Sequence, residues 1–241
     1  MILKGKLAIV TGASSGIGHT FSKKLIDKGA VVYGLARNTK KLQAIHNDLG
    51  DSFIPVQMDV TRHSDIENWV KKEFNENKTP HILVNNAGLG QFGNVEDISL
   101  DDWHTMVNTN LNGVFYLTRQ VVPLMKKYDG HTHIVNIASV AGLIGNPQIS
   151  GYNATKFAIR GFSEALFKEL RYDGIKVTCM YPGSIATAFF DNADGVDTHS
   201  NMMQPDDVAD TLIHILQTPD NFLINEIMLR PLNPKNPDES V

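Results

Sequence analysis

Apolar residues run along this chain in two alternating rhythms. Seven short stretches rich in branched side chains read as strands: KLAIVTG (6–12), AVVYGLA (30–36), FIPVQMDV (53–60), HILVNNAG (81–88), HIVNIAS (133–139), IKVTCMYPG (175–183) and INEIMLRP (224–231). Most lack a strict apolar–polar alternation, which suits parallel strands covered on both faces. Between them, segments with helical spacing fall near 16–28, 39–49, 63–76, 101–127, 152–173 and 205–217. Thr61 and Ser64 offer N-caps to the third of these, Asp101 fits the start of the fourth, and Pro205 fits the first turn of the last. Gly29 and Gly174 each follow a helical run, where a left-handed residue ends a helix well.

Strand and helix repeated in this way predict an α/β fold, with about seven strands in a doubly wound parallel sheet between two layers of helices. A chain of 241 residues can form this as a single domain spanning 1–241. Such sheets bind ligands beyond the carboxyl ends of their strands, where the strand order reverses. The chemistry is therefore expected at strand ends.

Composition narrows the picture by exclusion. A formal charge of −4 gives no electrostatic case for nucleic acid or an anionic membrane as partner. No apolar run is long enough to span a bilayer, and the opening MILKGKLAIVTG is too short in apolar residues for a signal peptide. The single Cys179, within the strand KVTCMY, excludes an internal disulfide and fits a reducing compartment, so a cytoplasmic location is expected. The ending RPLNPKNPDESV carries three prolines and reads as a loose tail from about residue 232. HTH at 131–133 lacks the further ligands zinc requires and reads as a polar loop entering a strand; no metal is expected.

The first strand runs directly into TGASSGIGHTF. Glycines at 12, 16 and 18 allow a sharp turn and a close backbone approach, and the following helix offers free N–H groups and a positive dipole end to a pyrophosphate. The context, strand then glycine turn then helix, is the one a dinucleotide site needs. With this turn, NNAG at 85–88 and Y-x-x-x-K at 152–156, the chain resembles the short-chain dehydrogenase/reductase family over Lys6 to about Pro231. The resemblance implies a Rossmann-like fold, a nicotinamide cofactor and hydride transfer between an alcohol and a carbonyl. It also implies that Ser14, Ser15 and Ile17 join the glycines around the cofactor, and that Asp59 meets the adenine. Asn86 and Gly88 would line the cofactor, while Pro182, Gly183, Ile185 and Thr187 would border its nicotinamide end.

Near the end of the second strand, dinucleotide folds use an acid for a ribose 2′-hydroxyl or an arginine for a 2′-phosphate. Here the position of the acid is Ala36 and Arg37 follows, with Lys40 and Lys41 close by. A guanidinium fork suits a phosphate, so NADP(H) is expected over NAD(H).

Tyr152 and Lys156 lie four residues apart on one helix face. A free phenol, with a pKa of about 10, mediates protons poorly at neutral pH. The nearby ammonium, together with an oxidised nicotinamide, is expected to lower it. Ile159, Phe162, Leu166 and Leu170 would anchor that helix to the sheet. By the resemblance, Lys156 also binds the nicotinamide ribose, and Ser139, thirteen residues before the tyrosine, holds the substrate oxygen. Asn108, Asn110 and Asn112 crowd one helical stretch, which suggests that one is functional. The family pattern selects Asn110, as holder of a water that relays protons to the lysine.

The expected substrate wall is Leu89, Phe92, Leu143, Ile144, Asn146, Gln148, Phe189 and Phe190, near a substrate loop at 184–205. Its mixed apolar and amide character suits a neutral, partly apolar carbonyl compound. Two alternatives stand beside this reading: a 3-oxoacyl-carrier-protein reductase, and a catalytically idle cofactor-binding scaffold. Family members pair through the long helices corresponding to 101–127 and 152–173, so a homodimer or homotetramer is expected.

Overall fold

In the computed structural model, which describes residues 1–187, 189 and 198–236, all seven expected strands form. They are β1 (Leu7–Thr11), β2 (Val31–Ala36), β3 (Phe53–Gln57), β4 (Ile82–Asn85), β5 (Thr132–Ile137), β6 (Ile175–Pro182) and β7 (Glu226–Leu229). They pair in parallel in the order β3-β2-β1-β4-β5-β6-β7. The order reverses between β1 and β4. This is the doubly wound, Rossmann-like topology.

Two helical layers cover the sheet. On one face lie α1 (Gly16–Asp27), α2 (Thr39–Leu49) and α7 (Pro205–Leu216). Their Phe21, Leu25, Leu42 and Leu212 pack with Val10, Val84, Val135 and Met180. On the other face lie α3 (His63–Glu73), α5 (Gly113–Met125) and α6 (Ser150–Leu170). Their Ile66, Leu117, Leu166 and Leu170 pack with Ile9, Leu83, Ile134 and Val177. Neighbours along one strand, such as Ile9 and Val10, thus enter different cores. Each such side chain contributes about 1.5–3 kcal/mol by burial. That is why the strands read as apolar runs without alternation.

Local signals act mostly as expected, with some corrections. Gly29 and Gly174 take left-handed φ of 84° and 71° behind their helices, and Pro205 opens α7. The cap of α3 is neither Thr61 nor Ser64. The N-cap is Arg62, because the Thr61 hydroxyl is spent on Asp59 Oδ1 at 2.8 Å and Ser64 lies inside the first turn. Ser99, one residue before the helix, caps α4 (Leu100–Val107) by accepting from Asp102 N at 3.0 Å. The helix expected over 101–127 is interrupted by a π-helical stretch, Asn108–Asn112, before α5. HTH is not a loop: Thr132 and His133 belong to β5 and are fully buried.

A buried polar chain fixes the helices that carry the site. Asn85 on β4 donates to Thr118 on α5 (3.1 Å) and to Asn136 on β5 (2.8 Å). Asn136 donates to Ser163 on α6 (2.9 Å), whose hydroxyl donates to Ile159 O (2.7 Å). Buried amides leave large penalties when unpaired, so this chain specifies one register of α5 and α6 on the sheet.

Two histidines tie the fold to pH. Burial pushes His133 down to about 3, with Lys176 and the N-terminal ammonium adding to the effect. Burial, then Lys6, pushes His81 down to about 4, and its Nδ1 accepts from Leu7 N at 3.1 Å. The unfolded chain takes up protons near pH 6.5 that the fold refuses. Their contribution to stability is therefore complete above pH 6.5 and lost as pH falls towards those lower values. Urea unfolding should show the midpoint dropping between pH 6.5 and 4.5, by up to ~1.4 kcal/mol per pH unit for a fully buried imidazole. His133→Asn should flatten that slope.

Candidate active site

The carboxyl ends of β1 and β4 are stitched together where the strand order reverses. Thr11 Oγ1 accepts from the backbone of Asn86 and of Ala87, both at 2.9 Å, and Asn86 Nδ2 donates to Thr11 O at 2.8 Å. Gly12 and Gly16 turn the chain at left-handed φ of 68° and 53°. Gly18 acts differently. A Cβ there would lie 2.3 Å from Gly12 O and 2.5 Å from Asn86 Nδ2, so this glycine lets α1 pack against the turn and does not face the cleft. No acid occupies the first turn of α1, and Ser15 makes no side-chain cap there. The N-terminal amides of α1 are thus left to whatever enters beyond the turn.

Beyond these strand ends lies a cleft of about 1060 Å³. Of the sixteen positions expected around a cofactor, Gly12, Ser14, Ser15, Gly16, Ile17, Arg37, Asp59, Asn86, Gly88, Tyr152, Lys156, Pro182, Gly183, Ile185 and Thr187 line it. At one end are Ala36, exposed Arg37 and Asp59. Burial pushes the Asp59 carboxyl up, but bonds from Thr61 N (3.0 Å) and its hydroxyl (2.8 Å), with Arg37 and Arg62 nearby, hold it below its ordinary value. Lys40 and Lys41 stand exposed on α2 and do not line the cleft.

Ser139, Tyr152 and Lys156 meet at the other end. Lys156 Nζ lies 5.6 Å from the Tyr152 ring centre and donates to Ile137 O at 2.9 Å. Ser139 Oγ accepts from Ala141 N at 3.1 Å, which opens a short 3₁₀ turn and orients its own hydroxyl. The expected lowering of the phenol is not what the chain itself produces. Burial pushes Tyr152 up to about 12, against the opposing pull of a hydrogen bond from Ser139, and burial pushes Lys156 down to about 8. The physical reason is desolvation. Tyr152 sits between Phe92 and Phe189, at ring separations of 6.0 and 5.7 Å, and the phenolate would lose its hydration there. Tyr152 is therefore a protonated donor at neutral pH.

Asn110 does not line the cleft. Its amide accepts from Leu89 N (2.9 Å) and donates to Leu89 O (2.8 Å) and Thr155 Oγ1 (3.1 Å). It clamps the Gly88–Leu89 turn to α6, while Asn108 and Asn112 pair with each other at the surface (2.8 Å). Gly88 keeps space between two of these groups: a Cβ there would lie 3.3 Å from Asn110 Oδ1 and 3.5 Å from Lys156 Nζ.

Of the expected wall, Leu89, Phe92, Asn146, Gln148 and Phe189 line the cleft. Leu143 instead packs inward beside Val114 and Ile159, and Ile144 turns to solvent. Phe190 lies outside the described residues, as does much of the expected loop at 184–205. Sequence reasoning missed the ending: Arg230, Pro231, Leu232 and Pro234 also line the cleft, and Asn201 Nδ2 holds Lys235 O at 2.8 Å. The segment read as a loose tail from 232 is thus held as far as Lys235. Among the described residues no group of three His, Cys, Asp or Glu is placed to hold a metal.

Asn153, inside YNATK, shapes the wall. Its amide donates to Ala141 O (2.6 Å) and Ile144 O (2.9 Å), and its oxygen accepts from Asn146 N (3.2 Å). Gln148, four residues before Tyr152, is the one described non-glycine residue at left-handed φ (64°), and its carbonyl accepts from Gly93 N at 2.7 Å. Asn153→Ala removes three bonds and orphans a buried carbonyl. It should cost ~2–3 kcal/mol in urea unfolding and increase amide exchange across residues 141–146.

The model of the short chain dehydrogenase family matches residues 6–195. An uncharacterized oxidoreductase of Staphylococcus epidermidis is 33% identical over 231 residues, 95% of this chain and 99% of the relative. Among solved structures, the closed form of a serine dehydrogenase complexed with NADP+ superposes with a TM-score of 0.88 at 32% identity, covering 98% of both chains. A 3-ketoacyl-(acyl-carrier-protein) reductase from Brucella melitensis, complexed with NADH, gives 0.85 at 27% identity, over 94% of this chain and 97% of that one.

Proposed function

The chain belongs to the short chain dehydrogenase family of oxidoreductases, and on that premise we propose that it transfers hydride between NADP(H) and a small carbonyl compound or the matching secondary alcohol. The observation that carries this reading is the meeting of Ser139, Tyr152 and Lys156 in the same cleft as the uncapped start of α1. A scaffold without turnover would have no need of a buried lysine beside a buried tyrosine, both of which cost desolvation.

The residues present fit a dinucleotide. Ser14, Ser15, Gly16 and Ile17 would face the pyrophosphate, and Asp59 the adenine. Asn86 and Gly88 would line the middle, Lys156 would bind the nicotinamide ribose, and Pro182, Gly183, Ile185 and Thr187 would border the ring. Arg37, with no acid at Ala36, favours a 2′-phosphate. The related structure bound to NADP+ supports this choice, while the one bound to NADH marks the alternative.

When bound, the nicotinamide supplies or receives the hydride. The chain's own groups manage the oxygen. Ser139 and Tyr152 donate hydrogen bonds to the substrate carbonyl, and the Tyr152 proton passes to that oxygen as the carbon becomes tetrahedral. A phenol near 12 suits this direction, because it arrives protonated. Lys156 and a cationic ring would then stabilise the phenolate that remains. Asn110 acts as a positioning residue, through Leu89 and Thr155. Phe115 on α5 and Phe157 on α6, both exposed, fit a homo-oligomer paired through those helices, and buried Cys179 fits a cytoplasmic location.

Tyr152→Phe should lower kcat at least ~10³-fold on any accepted carbonyl while leaving NADPH binding within a few-fold. Undiminished turnover would defeat the mechanism. Fluorescence titration should show NADPH binding more tightly than NADH, and Arg37→Asp should erase that difference at a cost of ~10–100-fold for NADPH. Tighter NADH binding in the wild type would assign Arg37 to the surface.

A further inference from the structure

The substrate end of the cleft holds a cation that the catalytic scheme does not use. Among the described residues lining the cleft, the cations are Arg37, Lys156 and Arg230, and the one carboxylate is Asp59. Arg37 and Asp59 stand beyond β2 and β3, at the far end of the sheet from β7. Lys156 is buried and bonded to Ile137 O. Arg230 is exposed, lies one residue past β7, and forms no ion pair with a carboxylate among the described residues.

Its position follows from the strand. Side chains alternate across a sheet, so residues 226, 228 and 230 share one face. Ile227 and Leu229 pack into the core shared with α1 and α7. Glu226 instead accepts from Tyr181 Oη at 2.5 Å and approaches Arg160 Nε of α6 at 3.5 Å. Arg230 therefore continues on the α6 face, the face that carries Tyr152 and Lys156. Gly183 N donates to Leu229 O at 2.8 Å, which seats the start of the ending beside the turn after β6. A Cβ on Gly183 would lie 3.6 Å from Arg230 Cα. Ser139 follows β5, two strands from β7, which is roughly 10 Å across the sheet. An arginine side chain and a substrate of a few carbons together span that distance. The fastening of Lys235 by Asn201 keeps the segment in place.

Resting on the oxidoreductase reading above, we propose that Arg230 is a specificity-determining residue: the substrate carries a carboxylate, which the guanidinium receives while its carbonyl or hydroxyl carbon lies at Ser139 and Tyr152. The bidentate fork fits a carboxylate and, with no competing acid at that end among the described residues, rewards an acid over its neutral ester. This proposal departs from the expectation of a neutral substrate, which was drawn from a wall that left Arg230 out.

The test compares lactate and 3-hydroxybutyrate, each against its methyl ester, on wild type, R230Q and R230K. Binding is read by calorimetry with and without NADP+, turnover is read with NADP+, and NADPH affinity is read by fluorescence. The expected result is that at least one acid binds ~10-fold or more tightly than its ester to wild type. R230Q should bring that ratio to within threefold, R230K should keep part of it, and NADPH affinity and the melting temperature should be unchanged. That pattern upholds the proposal even without turnover, in which case the proposed reaction alone fails. The proposal is overturned if wild type binds neither acid or shows no preference for it. It is also overturned if R230Q keeps the preference, or if R230Q weakens NADPH as much as the acid, which would assign Arg230 to the cofactor.

Discussion

Everything in this molecule follows from the requirement that a parallel sheet be covered on both faces. The sheet buries Ile9, Leu83 and Ile134 under α3, α5 and α6, and Val10, Val84 and Val135 under α1, α2 and α7. Those faces are then closed to ligands, and the strand ends are what remains. At the reversal between β1 and β4, successive connections leave to opposite sides and open a crevice. Thr11 closes the seam beneath it by accepting three hydrogen bonds, two from Asn86 and one from Ala87 N. The glycines around that seam divide the work. Gly12 and Gly16 supply left-handed turns, while Gly18 yields room for the backbone and for Asn86.

The same burial that builds the fold sets the protonation of its reactive groups. Tyr152 and Lys156 are both pushed towards their neutral forms, by opposite shifts with one cause. The opposing pull on Tyr152 is its hydrogen bond with Ser139, and within the chain alone desolvation wins. The aromatic neighbours Phe92 and Phe189 keep water from the phenol, and the lysine spends a hydrogen bond on Ile137 O. A charge delivered to the cleft from outside would therefore have a large effect on the pair, because little water is present to screen it.

How far the sequence could be read depended on how local each signal was. The strands and helices were legible because apolar runs, glycine stops and Pro205 act within a few residues. The break at Asn108–Asn112 was not, since a single π-helical turn, closed by i→i+5 bonds, needs no proline or glycine to mark it. Thr61 looked like a cap but was drawn away by Asp59, two residues back, a competition invisible to a cap rule. Tyr152, Lys156 and Ser139 were legible through motif spacing. The role of Asn110 was only half legible: the family resemblance singled it out from its neighbours, but its amide is spent on Leu89 and Thr155.

The two ends of the cleft differ in just this respect. The Arg37 end is made by turns that directly follow β1, β2 and β3, so adjacent residues carry most of its chemistry. The Tyr152 end is assembled from segments far apart in the chain: the loop held by Asn153, Phe92, Phe189 and the ending after β7. Composition misled at that ending, where three prolines suggested slack. Proline fixes φ and removes a donor, which disfavours a further strand but not a seated, extended path. Pro231 and Pro234 line the cleft, and the chain just beyond them accepts a bond from Asn201 at Lys235 O. A cleft built this way can keep the Arg37 end constant while the Tyr152 end varies with three distant loops, because the two ends share no segment between the turns after β1 to β3 and the ending after β7 that carries Arg230.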